Sequence, residues 1–352
     1  MTNGLSGPRK QFLDVLRVLA TCAVVLMHVL TGATDVTDAS IMPEYRSLLL
    51  SVMDLVTWCV PIFLLISGYL FLNPERTLTY PVMIKKYCRR IALAILLFGI
   101  PYAASELVVA ERTFRVMMIP EALKMTLTGH TWSHMWYLYL ILFLYLITPL
   151  LKKVLRVLPV WGVAAVMAVI FLGSSVAPFL NKVLDVNSIP VLPDGGVYFL
   201  YYLCGYFFAV REVCVDKGRN VWLTAAVAVL ALGMILSRTL AGFSIQMAYN
   251  YPFTVLLAVL LFAAGWNGSI KKYRIPWQEA GALSFAVYLV HPVYVNLLYK
   301  FVKITPFTVL EQCGVQSVAA GQVVLILLLA AFCLVVCLAL MVWPPFGSHD
   351  TI

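Results

Sequence analysis

Two ionisable residues, Arg17 and His28, sit eleven positions apart in a stretch, residues 12–30, that is otherwise apolar enough to cross a bilayer. A cation or an imidazole in hydrocarbon is costly, so residues of this kind mark function by default. At about 100° and about 1.5 Å per residue, eleven steps return to within about 20° of the same helix face, about 16 Å further along. Both side chains therefore look into one space at different depths. An imidazole there can act as a base towards a hydroxyl or as a nucleophile, and the residues leave that choice open. Taken alone, one histidine in one span fits a packing role equally well.

Other polar residues surround the pair. Asp14 lies three residues before Arg17, where it can pair with the guanidinium and lower the cost of burying it, a structural role. Asp54, near the outer end of the second predicted span, can accept the second proton of an imidazole at His28 or be solvated at a loop edge. Ser67 and Gly68 allow close helix approach. Trp136 and Tyr137 open the fourth span, where aromatic residues anchor helices at the interface and can also line a cavity or stack on a sugar. His291 precedes Pro292, and a proline inside a span frees a backbone carbonyl that needs a partner.

The elements that must position these residues are membrane helices. The 352 residues are 62% hydrophobic and 12% charged, which excludes a soluble globular domain. Ten spans are predicted, at about 11–31, 48–72, 89–110, 135–151, 159–180, 197–210, 221–240, 251–266, 280–298 and 318–342, with no room for a soluble domain between them. The expected fold is all-α, one polytopic bundle over residues 1–352. A signal peptide is the competing reading of Arg9, Lys10 and the apolar run 18–27. No small-residue cleavage site follows, and Asp14 and Arg17 argue for a retained first span.

With a cytoplasmic N-terminus, sixteen basic residues fall on inner segments, from Arg9 and Lys10 to Lys271, Lys272 and Arg274. Eight fall outside: Arg46, Arg112, Arg115, Lys124, Lys182, Arg238, Lys300 and Lys303. Both termini are then expected to be cytoplasmic. The net charge of +9 reads as topology and calls for no nucleic-acid partner. The eight cysteines show no paired spacing and read as apolar filler. The inner loop 73–90 gathers Arg76, Lys85, Lys86, Arg89 and Arg90, which either anchor a span against headgroups or hold a cytoplasmic phosphate. His130 and His134 have the spacing of a helical metal pair, but no glutamate completes a zinc motif and no metal is expected.

Five pieces in order carry a resemblance: Asp14-Val-Leu-Arg17 with His28; Pro61 through Ser67-Gly68-Tyr69; Lys85-Lys86-Tyr-Cys-Arg89-Arg90; Met135-Trp136-Tyr137-Leu138-Tyr139 running on to Thr148-Pro149; and Tyr288-Leu-Val-His291-Pro292. Together they resemble the acyltransferase family 3 integral membrane proteins over nearly the whole chain, particularly the short members that O-acetylate enterobacterial common antigen. The resemblance implies a ten-helix core that takes an acyl group, usually acetyl, from cytoplasmic acetyl-CoA to a hydroxyl of an extracytoplasmic glycan or lipid-linked sugar, in a bacterial inner membrane. On it, Arg89, Arg90 and Lys86 are expected to hold the CoA phosphates and Arg17 the pantetheine or a phosphate oxygen. His28 becomes the base, with an acyl-histidine as the other course, and Ser67 gains a polar role near the acyl group. The chain departs from the family where many members carry two arginines separated by two residues: Lys86 holds the first position and Arg89 the second. Lysine supplies charge without a bidentate fork. The rival reading is a carrier for an amino acid or sugar intermediate, because buried charges also line permeation paths.

Overall fold

The computed structural model describes residues 11–36, 42–210, 217–240, 248–267, 277–315 and 317–342, and among them there is no strand. Helices follow in the order α1 (Gln11–Val36), α2 (Met42–Val56), α3 (Cys59–Phe71), α4 (Tyr80–Val82), α5 (Arg89–Glu111), α6 (Met118–Leu127), α7 (Trp136–Val157), α8 (Val160–Phe171), α9 (Ala177–Leu184), α10 (Gly195–Val210), α11 (Lys217–Leu240), α12 (Pro252–Asn267), α13 (Trp277–Asn296), α14 (Pro306–Gln312) and α15 (Val318–Val342). Three π-helical turns extend or join them, at Met83–Cys88, Leu172–Val176 and Leu297–Val302. The protein is thus an all-α polytopic membrane protein.

Among the described residues seven helical stretches are long and apolar enough to cross a membrane. The sixth and eighth predicted spans appear as shorter apolar helices, Gly195–Val210 and Pro252–Trp266, and the seventh falls within α11. Arg9, Lys10, Arg211, Lys271, Lys272 and Arg274, which weigh in the charge count, lie outside the described residues.

Several boundaries differ from the sequence expectation for physical reasons. The second span, predicted as one helix over 48–72, is two helices separated by a turn at Thr57 and Trp58. Pro61 has no N–H for the Thr57 carbonyl, so the α-helical ladder lacks one bond at this point. The Thr57 hydroxyl instead caps the preceding turn, donating to the Met53 carbonyl at 2.8 Å. The predicted loop 111–134 contains α6, and the basic segment expected in a loop before residue 89 is already helical from Tyr80. His130 and His134 do not share a helix: His130 follows α6 in irregular backbone and His134 sits in a 3₁₀ turn.

The chain forms two compact units. The first comprises Met1–Ile66, Val169–Cys204 and Glu212–Ile352; the second comprises Ser67–Ala168 and Gly205–Arg211. In the first, α1, α13 and α15 enclose an apolar core that includes Val25, Val29, Val287, Val295, Leu325 and Leu329. Glycines let the helices close up: a Cβ on Gly32 would stand 3.2 Å from Tyr299 and Val295, and one on Gly281 would stand 3.0 Å from Asp14. Hydroxyls along α1 return to its own carbonyls, Thr21 to Arg17 at 2.8 Å and Thr31 to Met27 at 3.0 Å, which keeps polar groups satisfied without water.

The second unit centres on α5, α6 and α7. Gly99 meets α6 closely, since a Cβ there would fall 2.6 Å from the Thr126 methyl. Tyr102 and Trp132 stack with centroids 4.3 Å apart, and Tyr139 donates to the Thr126 carbonyl at 2.5 Å.

Candidate active site

The N-terminal half of α1 carries the ion pair expected from its spacing. Arg17 Nη1 donates to Asp14 Oδ1 at 2.9 Å, with Asp14 2% and Arg17 27% exposed. The pair is seated rather than solvated, because Gly281 of α13 packs directly on Asp14 and Gly265 of α12 on Leu16. Phe12 and Phe262 close the same end edge to face, 5.8 Å apart.

Eleven residues on, His28 meets a second imidazole. Its ring centroid lies 4.9 Å from that of His291 on α13, the planes tilted by 54°. His291 is fully buried. Its Nδ1 lies 2.8 Å from the Tyr288 carbonyl and 3.1 Å from that of Val287. Only an N–H satisfies carbonyl oxygens, so Nδ1 carries the proton, and in the neutral ring Nε2 is the acceptor. Pro292 explains why the tautomer is fixed. Lacking an N–H, it leaves the Tyr288 carbonyl without its helical donor, and the adjacent histidine fills that place. The freed carbonyl expected from the sequence thus acts on the histidine itself.

Tyrosines complete these surroundings, and sequence reasoning missed them. Tyr299 donates its hydroxyl to the Val29 carbonyl at 3.0 Å, one residue from His28. Tyr249 donates to the sulfur of Met27 at 3.5 Å and receives the Tyr201 hydroxyl on its own carbonyl at 2.6 Å. Burial first, and then the neighbouring Cys59, hold the Tyr249 hydroxyl above the usual tyrosine range, so it stays a neutral donor. No local signal marks Tyr249, which lies between two apolar helices and reaches α1 only through the fold.

Asp54 belongs to the same unit. It is the thirteenth residue of α2, because that helix begins at Met42 rather than at residue 48. At 2% exposure it is buried, which overturns solvation at a loop edge as its explanation.

The remaining candidates lie in the second unit. Lys86 is in the π turn Met83–Cys88, and Arg89 and Arg90 begin α5; all three are exposed. Their helical setting presents them from a fixed scaffold, and π turns recur at functional sites. Ser67 is 8% exposed on α3, with Gly68 buried beside it. Trp136 and Tyr137 form the first residues of α7, half-buried, their rings edge to face at 6.3 Å. The structure therefore brings His28 together with His291, and Arg17 with Asp14, in one unit. The basic residues and the aromatic pair belong to the other.

No curated protein and no solved structure matches the chain. The family model described as an acyltransferase domain matches it from residue 10 to residue 343, and takes in α1 with Arg17 and His28 as well as α13 with His291. With nearly the whole chain matched, the protein belongs to acyltransferase family 3 and is a membrane acyltransferase.

Proposed function

We propose that the protein is an O-acyltransferase of the bacterial inner membrane that moves an acyl group, acetyl by preference, from cytoplasmic acyl-CoA to a hydroxyl of an extracytoplasmic cell-envelope glycan or lipid-linked sugar. The observation that carries this reading is the contact of His28 with a fully buried histidine whose tautomer is fixed. A neutral imidazole packed between helices is a suitable base towards a hydroxyl near neutral pH. By the loop-charge count, His28 lies towards the acceptor side and Arg17 towards the donor side.

In the proposed reaction the acceptor hydroxyl gives its proton to His28 as its oxygen attacks the thioester carbonyl. The carbon–sulfur bond then breaks, and the proton returns to the departing CoA thiolate. His291, its tautomer fixed by the Tyr288 carbonyl, orients the His28 ring. Asp54 is a second orienting group for His28. Arg89, Arg90 and Lys86 hold the CoA phosphates, by forks from the arginines and by point charge from the lysine. Arg17, kept straight by Asp14, steadies the pantetheine arm. Trp136 and Tyr137 line the sugar side, and Ser67 provides a hydroxyl near the acyl group.

The test is thiol release from acetyl-CoA by purified protein supplied with envelope glycan. Release that requires both substrates, and the appearance of an O-acetyl ester on the glycan, is the expected result. Transport of radiolabelled amino acid or sugar into proteoliposomes, without thiol release, would favour the carrier reading instead.

A further inference from the structure

Asn73 and Lys152 stand 79 residues apart in sequence, and the second unit ties them together. The Lys152 ammonium donates to the Asn73 carbonyl, which also accepts the backbone N–H of Arg76 at 3.1 Å. Lys152 is only 5% exposed. The side-chain charges that act on it are those of Arg156 and Arg76, both of its own sign. Arg76 donates Nη2 to the Tyr87 hydroxyl at 2.6 Å and Nη1 to the Leu70 carbonyl at 3.3 Å. Its guanidinium lies 5.2 Å from the Phe71 ring centroid and 5.7 Å from that of Tyr87, and the Lys86 ammonium lies 5.6 Å from the Tyr87 ring. Among the described residues no carboxylate pairs with Arg76, Lys86, Lys152 or Arg156. Glu75, next to Arg76 in sequence, is exposed.

Span-end cations that anchor a helix reach outward to headgroups, as the exposed Lys153 can. Anchoring gives no reason to bury an ammonium beside two guanidinium groups, an arrangement that costs free energy until an anion arrives. The donor count points the same way. Of five guanidinium N–H groups two are engaged, and of three ammonium N–H groups one is engaged; the Tyr87 hydroxyl accepts from Arg76 and keeps its own proton to give. The aromatic rings of Phe71, Tyr87 and Tyr145 hold the cluster in place, with centroids 4.8 Å and 4.7 Å from Phe71.

We propose that Arg76, Lys152 and the Tyr87 hydroxyl form a binding site for a phosphate monoester, with Lys86 and Arg156 adding to its field. On the donor reading above, on which this assignment rests, the ligand is the 3′-phosphate of CoA, separate from the phosphates held by Arg89 and Arg90. A lipid that ends in a phosphate monoester offers the same chemistry.

The test uses the full chain in phosphatidylcholine nanodiscs, with CoA and 3′-dephospho-CoA as probes in calorimetry. Wild type binds CoA about tenfold more tightly than dephospho-CoA, the worth of charge-assisted hydrogen bonds. Lys152→Met and Arg76→Gln bind the two alike, and Lys152→Arg restores the preference. A second arm measures retention of phosphatidic acid by the same proteins. If only that retention falls in the variants, the phosphate site stands and its ligand is lipid. If wild type binds neither nucleotide, the donor reading fails and the lipid arm alone decides the site. Unchanged nucleotide preference together with unchanged lipid retention overturns the proposal. So does a lower melting temperature as the only effect of the variants, which is what a purely structural Lys152 would give.

Discussion

The seam of α1 and α13 and the basic cluster formed by Arg76, the π turn Met83–Cys88 and α7 treat charge in opposite ways. In the seam, polar groups are met internally: Arg17 by Asp14, His291 Nδ1 by the Tyr288 carbonyl, the Tyr299 hydroxyl by the Val29 carbonyl. Around Arg76 and Lys152 the charges are of one sign, with carbonyls, a phenol and ring faces for company. Internal satisfaction suits a site that must hold a neutral base still in a medium of low dielectric. A surplus of cations suits a site completed by an anionic ligand. The first region is arranged for chemistry and the second for binding, and variants can separate the two.

The largest effect is expected at His28. Replacement by alanine removes the base, and acyl transfer should fall about 10³-fold while CoA affinity stays at the wild-type value. Thiol release and calorimetry on one preparation measure both. Full turnover in His28→Ala would remove chemistry from the seam and the contrast with it.

Next comes the ion pair that seats α1. Arg17→Met takes a charge partner from a carboxylate that is 2% exposed, and should destabilise the protein by about 3 kcal/mol in denaturant or thermal unfolding. Asp14→Asn combined with Arg17→Met should recover part of that loss, since no charge is then left behind. If the double variant is no better than the single one, the pair is not what fixes this end of the helix.

A smaller effect tests the tautomer. Pro292→Ala returns an N–H to the ladder, which competes with His291 Nδ1 for the Tyr288 carbonyl. Loss of one hydrogen bond is worth about 1 kcal/mol, so turnover should fall about fivefold with an altered pH profile and no loss of thermal stability. A fall in stability without a change in the pH profile would make Pro292 a shaping residue only.

These variants also trace what the sequence disclosed. The Arg17–Asp14 pair was legible because three residues along one helix fix the geometry before any tertiary structure exists. The need for a donor near Pro292 was legible for the same local reason. That His28 and His291 touch was not, because helix packing alone joins α1 to α13. The helical character of residues 80–88 and the existence of α6 escaped because polar and basic residues on a helix read as loop when hydropathy is the guide. Lys152 escaped more completely. Among span-end cations it looks ordinary, and only the fold, by bringing Asn73 and Arg76 to it, buries it.

The smallest effect is expected where charges of opposite sign meet in water. Glu111, the last residue of α5, pairs with Arg115 in the irregular segment that follows it in the second unit, with side chains 36% and 61% exposed. Such a pair gains little from Coulomb attraction at high dielectric and gives up side-chain freedom, so Arg115→Ala should change stability by no more than about 0.5 kcal/mol. Removing Arg17 should cost several times as much, although both pairs join an acid to an arginine three or four residues away. The main difference between the two is burial, since Asp14 is covered by α13 and Glu111 is not. Raising the salt concentration sharpens it further: screening should erase the remaining contribution of Arg115 and leave that of Arg17 nearly intact. Equal losses for the two variants at low and high salt would mean that the seam is as wet as the surface, and a neutral base at His28 would then have no dry medium to act in.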